Sequence, residues 1–214
     1  TFSEMLIWQY IQEKDFESAF FQSKALEKRQ QLQGAKILPL ASLAAANKDY
    51  DIAIKCYQYI IDLGKNSQHY HTARMEMVNV LNTKITTNPA FTKGDLMKLK
   101  STYISTIGEL GKSPTTLSLI KGLAHLEAFY LDGADTAIDI LNEAIEMPRA
   151  DAKSIAECKL ELADILLFTG EIWETTLLYS QVEKSFKEEP IGQDAKFRNA
   201  RLSYYHGDFE WSRA

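Results

Sequence analysis

A short motif recurs along the chain at the spacing of a helical repeat. In its clearest copy, Asn47-Lys48-Asp49-Tyr50-Asp51-Ile52-Ala53-Ile54, a polar break leads to an acid, an aromatic residue and, three positions later, a small residue. The other copies are Lys14-Asp15-Phe16-Glu17-Ser18-Ala19, Gly133-Ala134-Asp135-Thr136-Ala137, Gly170-Glu171-Ile172-Trp173-Glu174-Thr175 and Gly207-Asp208-Phe209-Glu210-Trp211-Ser212. The small residues Ala19 and Ala53 are 34 positions apart, Ala137 and Thr175 are 38 apart, and Thr175 and Ser212 are 37 apart. A period in this range is typical of solenoids, in which one helical hairpin cannot bury its apolar face alone.

Each copy of the motif has the chemistry of a joint between two helices. A Gly or Lys ends the first helix, and the acid that follows favours the positive N-terminal end of the second helix. The small residue lets the two helices approach closely. The motif therefore predicts an all-α chain of helical hairpins.

The whole chain is predicted to be one repeat array of about five and a half hairpins. The third hairpin lacks the motif and has longer helices, so we expect a change of pitch or a flexible point near 86–94. The sequence begins without Met and its last hairpin is incomplete, which favours a fragment of a longer protein. The predicted hairpins are 2–31, 35–63, 67–111, 114–147, 150–188 and the truncated 191–214.

Two hairpins carry residues that resemble the tetratricopeptide repeat (TPR) family. The family pattern combines a large apolar residue and small residues in the first helix with a Gly-acid-aromatic joint, then Ala and a second aromatic residue. The matching residues are Leu40, Ala41, Ala44, Asp49-Tyr50, Ala53 and Tyr57 in the second hairpin, and Leu162, Ala163, Leu166, Gly170-Glu171, Tyr179 and Pro190 in the fifth. No hairpin has the usual first-helix Trp, and His125 stands where the fourth should have a small residue. The resemblance implies a right-handed α-α superhelix of TPR-like helical hairpins.

The resemblance also implies a concave groove lined by the first helix of each hairpin. In the family, groove positions lie one and four residues after the small first-helix residue. The residues carried over to this chain are Trp8, Ile11, Ser42, Ala45, Leu126, Phe129, Asp164, Leu167, Arg201 and Tyr204. This set is mainly apolar and lacks a ring of Lys and Arg that would clamp a carboxylate. An extended or helical peptide with apolar anchor residues suits it better.

Composition restricts the classes of partner. The net charge of −5 argues against a nucleic-acid partner, which normally needs a basic face. No apolar run has the length of a membrane span.

Cys56 and Cys158 lie in different predicted repeats without a CxxC partner, so we expect two buried small hydrophobes. Cytoplasmic and periplasmic locations both remain open.

The ionisable residues offer no clear reaction chemistry. His69 and His71 point in opposite directions on a helix, which is unsuitable for sharing a metal ion. His125 lies among apolar residues and is predicted to be a core histidine bonded to a backbone carbonyl. The acidic pairs, such as Glu157 with Glu161, have lysines nearby and suit solvated helix faces. We therefore expect no catalytic residue, no metal site and no cofactor.

The sequence favours a non-catalytic protein–protein interaction scaffold that binds a peptide or partner protein in its groove. The alternative is a regulatory or sensor repeat module that contacts another domain of the same longer chain. An enzyme is the third class, and it would need a cleft with converging ionisable groups. A dimer through the exposed terminal repeat is a further expectation, because an incomplete hairpin leaves one helix face uncovered.

Overall fold

The computed structural model describes residues 2–207, and this part of the chain is built from eleven α-helices and one 3-10 helix. This part of the chain divides into two compact units, one ending at Thr102 and the other beginning at Tyr103, so that the division falls inside α6. The predicted joint after Gly207 and the second half of the sixth predicted hairpin fall on residues 208–214, which lie outside the described residues. The helices are α1 (Phe2–Gln12), α2 (Phe16–Gln30), α3 (Ile37–Ala46), α4 (Tyr50–Asp62), α5 (Tyr70–Thr86), α6 (Lys93–Leu110), α7 (Leu117–Tyr130), α8 (Ala134–Ile145), α9 (Ala152–Thr169), α10 (Ile172–Ser185) and α11 (Pro190–His206), and the 3-10 helix is Pro114–Thr116.

In the first unit, each helix packs on the next along the chain from α1 to α5, and α2 also contacts α4. The core contains aromatic, aliphatic and small side chains from α2, α3, α4 and α5. A buried carboxylate closes the connection between α2 and α3. Glu27 is only 2% exposed and accepts hydrogen bonds from the Gly34 N–H at 2.6 Å and the Lys36 N–H at 2.5 Å.

In the second unit, α7 to α11 also pack in chain order. Alternate helices make further contacts, so that α7 touches α9 and α9 touches α11. The first helices of successive hairpins therefore lie side by side in this unit. Its core around α9, α10 and α11 includes Ala163, Tyr179, Val182 and Ala195, each at most 1% exposed. Among residues 2–207, no helix is both long enough and apolar enough to cross a membrane.

The joints share one backbone conformation. The residue before each acid or N-cap position has a positive φ, as in Lys14 (58°), Lys48 (67°), Asp132 (55°) and Gly170 (95°). This left-handed residue ends the first helix and turns the chain into the second.

A backbone hydrogen bond closes each joint. The N–H that follows the left-handed residue donates to a carbonyl of the first helix. The bonds run from Asp15 to Tyr10 at 2.9 Å, from Asp49 to Ala44 at 2.9 Å, from Glu171 to Leu166 at 2.8 Å and from Gly133 to Glu127 at 2.9 Å. The Asp15 and Asp49 side chains then cap the second helix by accepting from the Ser18 and Ile52 N–H groups.

The small residue of every described joint is fully buried. The residues at this position are Ala19, Ala53, Ala137 and Thr175, each 0% exposed. Thr175 also uses its hydroxyl, which donates to the Glu171 carbonyl at 2.8 Å and to the Ala163 carbonyl at 3.3 Å. A larger side chain at these positions would separate the two helices of the hairpin.

Replacement of Lys48 by glycine should stabilise the first unit. Lys48 is exposed and holds a left-handed conformation that costs a residue with a Cβ more than it costs glycine. We expect Lys48→Gly to raise the free energy of unfolding by about 0.5–1 kcal/mol, measured by urea denaturation.

Lys98 supplies the matched control, because it is an exposed lysine inside α6. Lys98→Gly should lower the free energy of unfolding by about 1 kcal/mol. Equal losses from both substitutions would contradict the role assigned to the left-handed residue.

Candidate functional site

Three first helices of the second unit line an open cavity of about 600 Å³. The cavity runs across α7, α9 and α11, and we call it the first-helix groove. Its lining combines aromatic and apolar side chains with three acids, two arginines and one histidine. The lining residues are His125, Phe129, Glu161, Asp164, Leu167, Phe168, Asp194, Phe197, Arg198 and Arg201.

Aromatic side chains form the apolar part of the groove. The rings of Phe129 and Phe168 meet edge to face with centroids 5.4 Å apart, and the His125 ring lies 4.8 Å from Phe129. Phe168 is 65% exposed and Phe197 is 63% exposed. Large aromatic surfaces left in water at a concave site mark a surface that gains free energy when it is covered.

Most charged groups in the groove are paired across neighbouring helices. His125 Nδ1 lies 2.7 Å from Glu161 Oε1, which links α7 to α9. Arg198 pairs with Asp164 on α9 and, at 2.7 Å, with Asp194 on its own helix. Arg201 makes no hydrogen bond or ion pair with another residue of the described range 2–207. Within that range, Arg201 is the groove cation that no carboxylate contacts, whereas Arg198 is shared by two acids.

A buried tyrosine supports this network from the second helix of the fifth hairpin. The Tyr179 hydroxyl donates to Asp164 Oδ1 at 2.5 Å. Burial, and then the hydrogen bond to Asp164, raise the pKa of Tyr179 above its ordinary value of 10, so the hydroxyl keeps its proton. The same pair recurs in the first unit, where the Ser42 and Tyr57 side-chain oxygens lie 3.5 Å apart and 15 residues separate the partners, as they do in the Asp164–Tyr179 pair.

The chain matches known proteins by structure but not by sequence. No protein-family model matches it, and no curated protein matches it. Its structure, in contrast, matches solved structures. BtubC (BKLC) from P. vanneervenii is 14% identical with a TM-score of 0.71, and the match covers 97% of this chain and 87% of that chain.

Two further matches are TPR proteins. TTC0263, a thermophilic TPR protein in Thermus thermophilus, is 16% identical with a TM-score of 0.60, over 92% of this chain and 95% of that chain. YrrB, a TPR protein with an unusual peptide-binding site, is 15% identical with a TM-score of 0.53, over 88% of this chain and 86% of that chain. The chain has a TPR-like fold. This confirms the all-α fold class and the resemblance read from the sequence.

The hydrogen bonds at the joints show which residues occupy equivalent positions in the different TPR-like hairpins. In three joints the closing bond spans five residues, but Gly133 N–H reaches Glu127 O across six. The fourth joint therefore contains one extra residue. If the extra residue is ignored, counting back from the joint selects His125 as the small first-helix residue. In the structure that residue is Ala124, which is 0% exposed.

This shift corrects two expectations about the fourth hairpin. Leu126 is 1% exposed, so it belongs to the core and presents no surface to a partner. His125 is not a core histidine, because its side chain is 46% exposed and bonds a carboxylate instead of a backbone carbonyl. His125 occupies the groove position that Asp164 occupies in the fifth hairpin.

The other predicted groove residues fall into three groups. Phe129, Asp164, Leu167 and Arg201 all line the first-helix groove. Tyr204 is 58% exposed on α11, one turn beyond Arg201. In the first unit, Trp8 and Ser42 are exposed, while Ile11 and Ala45 are half-buried against the core, and whether any of them binds a partner stays a prediction.

The sequence interpretation missed six lining residues. Two lie next to predicted positions, since His125 precedes Leu126 and Phe168 follows Leu167. The others lie one or two turns earlier on α9 and α11. Repeating the groove pattern by full helical turns along each first helix would have found them. These four residues are Glu161, Asp194, Phe197 and Arg198.

Reactive chemistry has little support in the described part of the chain. Cys56 and Cys158 are free and buried, as expected, and burial raises their pKa values to about 12 and about 11. Both thiols are therefore protonated at neutral pH, which suppresses their nucleophilicity. Residues 2–207 contain no group of three His, Cys, Asp or Glu side chains placed to hold a metal ion.

The His125–Glu161 pair gives the groove a measurable pH dependence. The hydrogen bond that the His125 ring donates to Glu161, with the charges of Glu161 and Asp164, raises the pKa of His125 above its ordinary 6.5, although burial opposes the shift. The folded state thus favours the imidazolium. The ion pair stabilises the fold fully below about pH 6.5 and ceases to do so as the pH rises through the raised pKa.

We expect Glu161→Gln to lower the pKa of His125, measured from the ring signals in an NMR titration. The substitution removes the carboxylate charge, and the remaining desolvation favours neutral imidazole. Glu157→Gln is the control, because Glu157 lies one turn away on α9 and pairs with Lys121. A His125 pKa that stays unchanged in Glu161→Gln would show that the pair does not form in solution.

Proposed function

We propose that the chain is a non-catalytic scaffold that binds a peptide segment of a partner protein in the first-helix groove. One observation carries the proposal. Two phenylalanines from successive first helices, Phe129 and Phe168, meet in a concave cavity that the exposed Phe197 also lines. Phenylalanine is one of the residue types enriched in protein–protein interfaces.

The cavity has the shape and chemistry for peptide anchors. Helix-lined grooves bind peptides by burying a few apolar side chains, while polar groups around them fix the orientation. Here the aromatic wall would bury an aromatic or aliphatic side chain. Because the polar network already holds α9 and α11 together, little ordering of the scaffold is needed on binding.

The charged residues of the groove bear on which peptides it would bind. Glu161, Asp164 and Asp194 are all paired with His125 or Arg198, whereas Arg201 has no counter-ion in the described range. Arg201 therefore offers a partner for an acidic side chain beside the apolar anchor of the peptide.

Two further considerations support a protein partner. The net charge of −5 disfavours a polyanionic nucleic acid. YrrB, with its peptide-binding site, shares the fold, although at 15% identity the likeness concerns the fold alone. The acids of the groove are engaged in ion pairs, which argues against general acid–base chemistry and for a structural role.

The proposal is tested by selecting peptides on the purified chain from a random-peptide display library. We expect the selected peptides to combine an aromatic or large aliphatic residue with an acidic one. Phe168→Ala should weaken the affinity for the best peptide by about tenfold or more, measured by isothermal titration calorimetry, because the substitution removes the centre of the aromatic wall.

Trp173→Ala is the matched control. Trp173 is 78% exposed on α10 and does not line the first-helix groove. Circular dichroism must first show that both variants remain folded. If Trp173→Ala weakens the peptide as much as Phe168→Ala, or if only Trp173→Ala does, the partner binds the second helices and the proposed site is wrong.

A further inference from the structure

A second cavity lies on α6, α7 and α8 of the second unit and shares no lining residue with the first-helix groove. Its volume is about 480 Å³. Binding sites for small molecules occupy about 300–1,000 Å³, so the cavity has the size of a ligand-binding site and is larger than an ordinary packing void. Its apolar wall consists of Ile104, Ile107, Ile120, Leu123, Ile140 and Met147.

The cavity wall offers almost no polar groups that could bind a polar ligand. Among the described residues that line it, Lys112 and Glu143 are the only charged ones, and they pair with each other at 2.6 Å. Both side chains are more than half exposed, which places the pair at the water side of the cavity. The occupant must therefore be apolar along most of its length, with any polar group at one end.

A glycine indicates that the space is kept open. Gly108 lies inside α6, where glycine lowers helix stability relative to alanine. A Cβ built at Gly108 would meet no atom within 4 Å, so no close approach of another chain segment requires glycine there. Alanine or a longer side chain would favour the helix and narrow the cavity. A residue less favourable to the helix thus stands at the wall of the apolar cavity.

We propose that this cavity binds a linear alkyl chain that ends in an uncharged polar group. The chain would lie along the isoleucine side chains. The head would meet both members of the ion pair, accepting a hydrogen bond from Lys112 Nζ and donating one to Glu143. A charged head would attract one of the two and repel the other. Charge balance at the opening therefore favours an alcohol over an acid or an amine.

Decanol is the probe for this site, with decanoate and decylamine as analogues of the same chain length. Isoleucine methyl signals in NMR report binding at known positions. We expect decanol to shift the methyl signals of Ile104, Ile107, Ile120 and Ile140 in a saturable way, and to bind more tightly than either charged analogue. Signals of isoleucines remote from the cavity, such as Ile172 on α10, should stay unchanged.

Ile104→Gln tests the wall, and Leu177→Gln is its control. Ile104 is 51% exposed at the cavity, whereas Leu177 is 52% exposed on α10 away from it. We expect Ile104→Gln to weaken decanol binding by about tenfold, because the amide would lie against the alkyl chain without a partner. Leu177→Gln should leave binding unchanged.

Gly108→Met provides a second test that does not put a polar group in the wall. Its side chain would occupy the cavity while improving the helix propensity of α6, so the variant should be at least as stable as the parent and should lose decanol binding. The proposal is overturned by unsaturable shifts, by equal binding to the Ile104→Gln and Leu177→Gln variants, or by full binding to Gly108→Met. Tighter binding of decanoate or decylamine would overturn the assignment of an uncharged head. All of these outcomes are independent of peptide binding in the first-helix groove.

Discussion

The hydrogen bond that closes each joint is the interaction on which the hairpins depend. It runs from the N–H after a left-handed residue to a carbonyl near the end of the preceding helix, as from Asp49 to Ala44. This bond satisfies a carbonyl that the helix would otherwise leave unpaired, and it sets the direction in which the next helix begins. The buried small residue that follows, Ala53 in this hairpin, then lets the two helices pack closely.

The same bond decides which side chains face the first-helix groove. One extra residue in the fourth joint moves the alignment of α7 by one position, which turns Leu126 into the core and His125 toward the groove. His125 then reaches Glu161 on α9, and Asp164 on α9 reaches Arg198 on α11. The extra residue at one joint thus determines which side chain of α7 makes the polar contact with α9.

Much of the helical pattern was predictable, because helix ends are encoded locally. The Lys-Asp and Gly-Glu pairs at the joints, and the small residues three or four positions later, act within a few residues of one another. The groove was predicted less completely. Asp164, Leu167 and Arg201 follow from a fixed offset within a repeat. In the fourth hairpin the offset is one position out, because it assumes joints of equal length, so Leu126 lies in the core and Phe129 lines the groove at a position that the corrected offset does not give. Glu27 was also missed, because its two bonds lie in the connection to the next hairpin.

Residue order alone was enough to establish that this protein is all-α, where its helices break, and that its fold is TPR-like. Backbone hydrogen bonding and helix capping act over a single turn, so a local pattern is sufficient to reveal them. The side chains that meet across helices became known only from the packing of the folded chain. The Phe129–Phe168 ring contact, the Tyr179–Asp164 hydrogen bond and the cavity beside Gly108 join residues from separate helices. Such contacts depend on how far each helix is rotated and shifted against its neighbour, which local patterns do not specify.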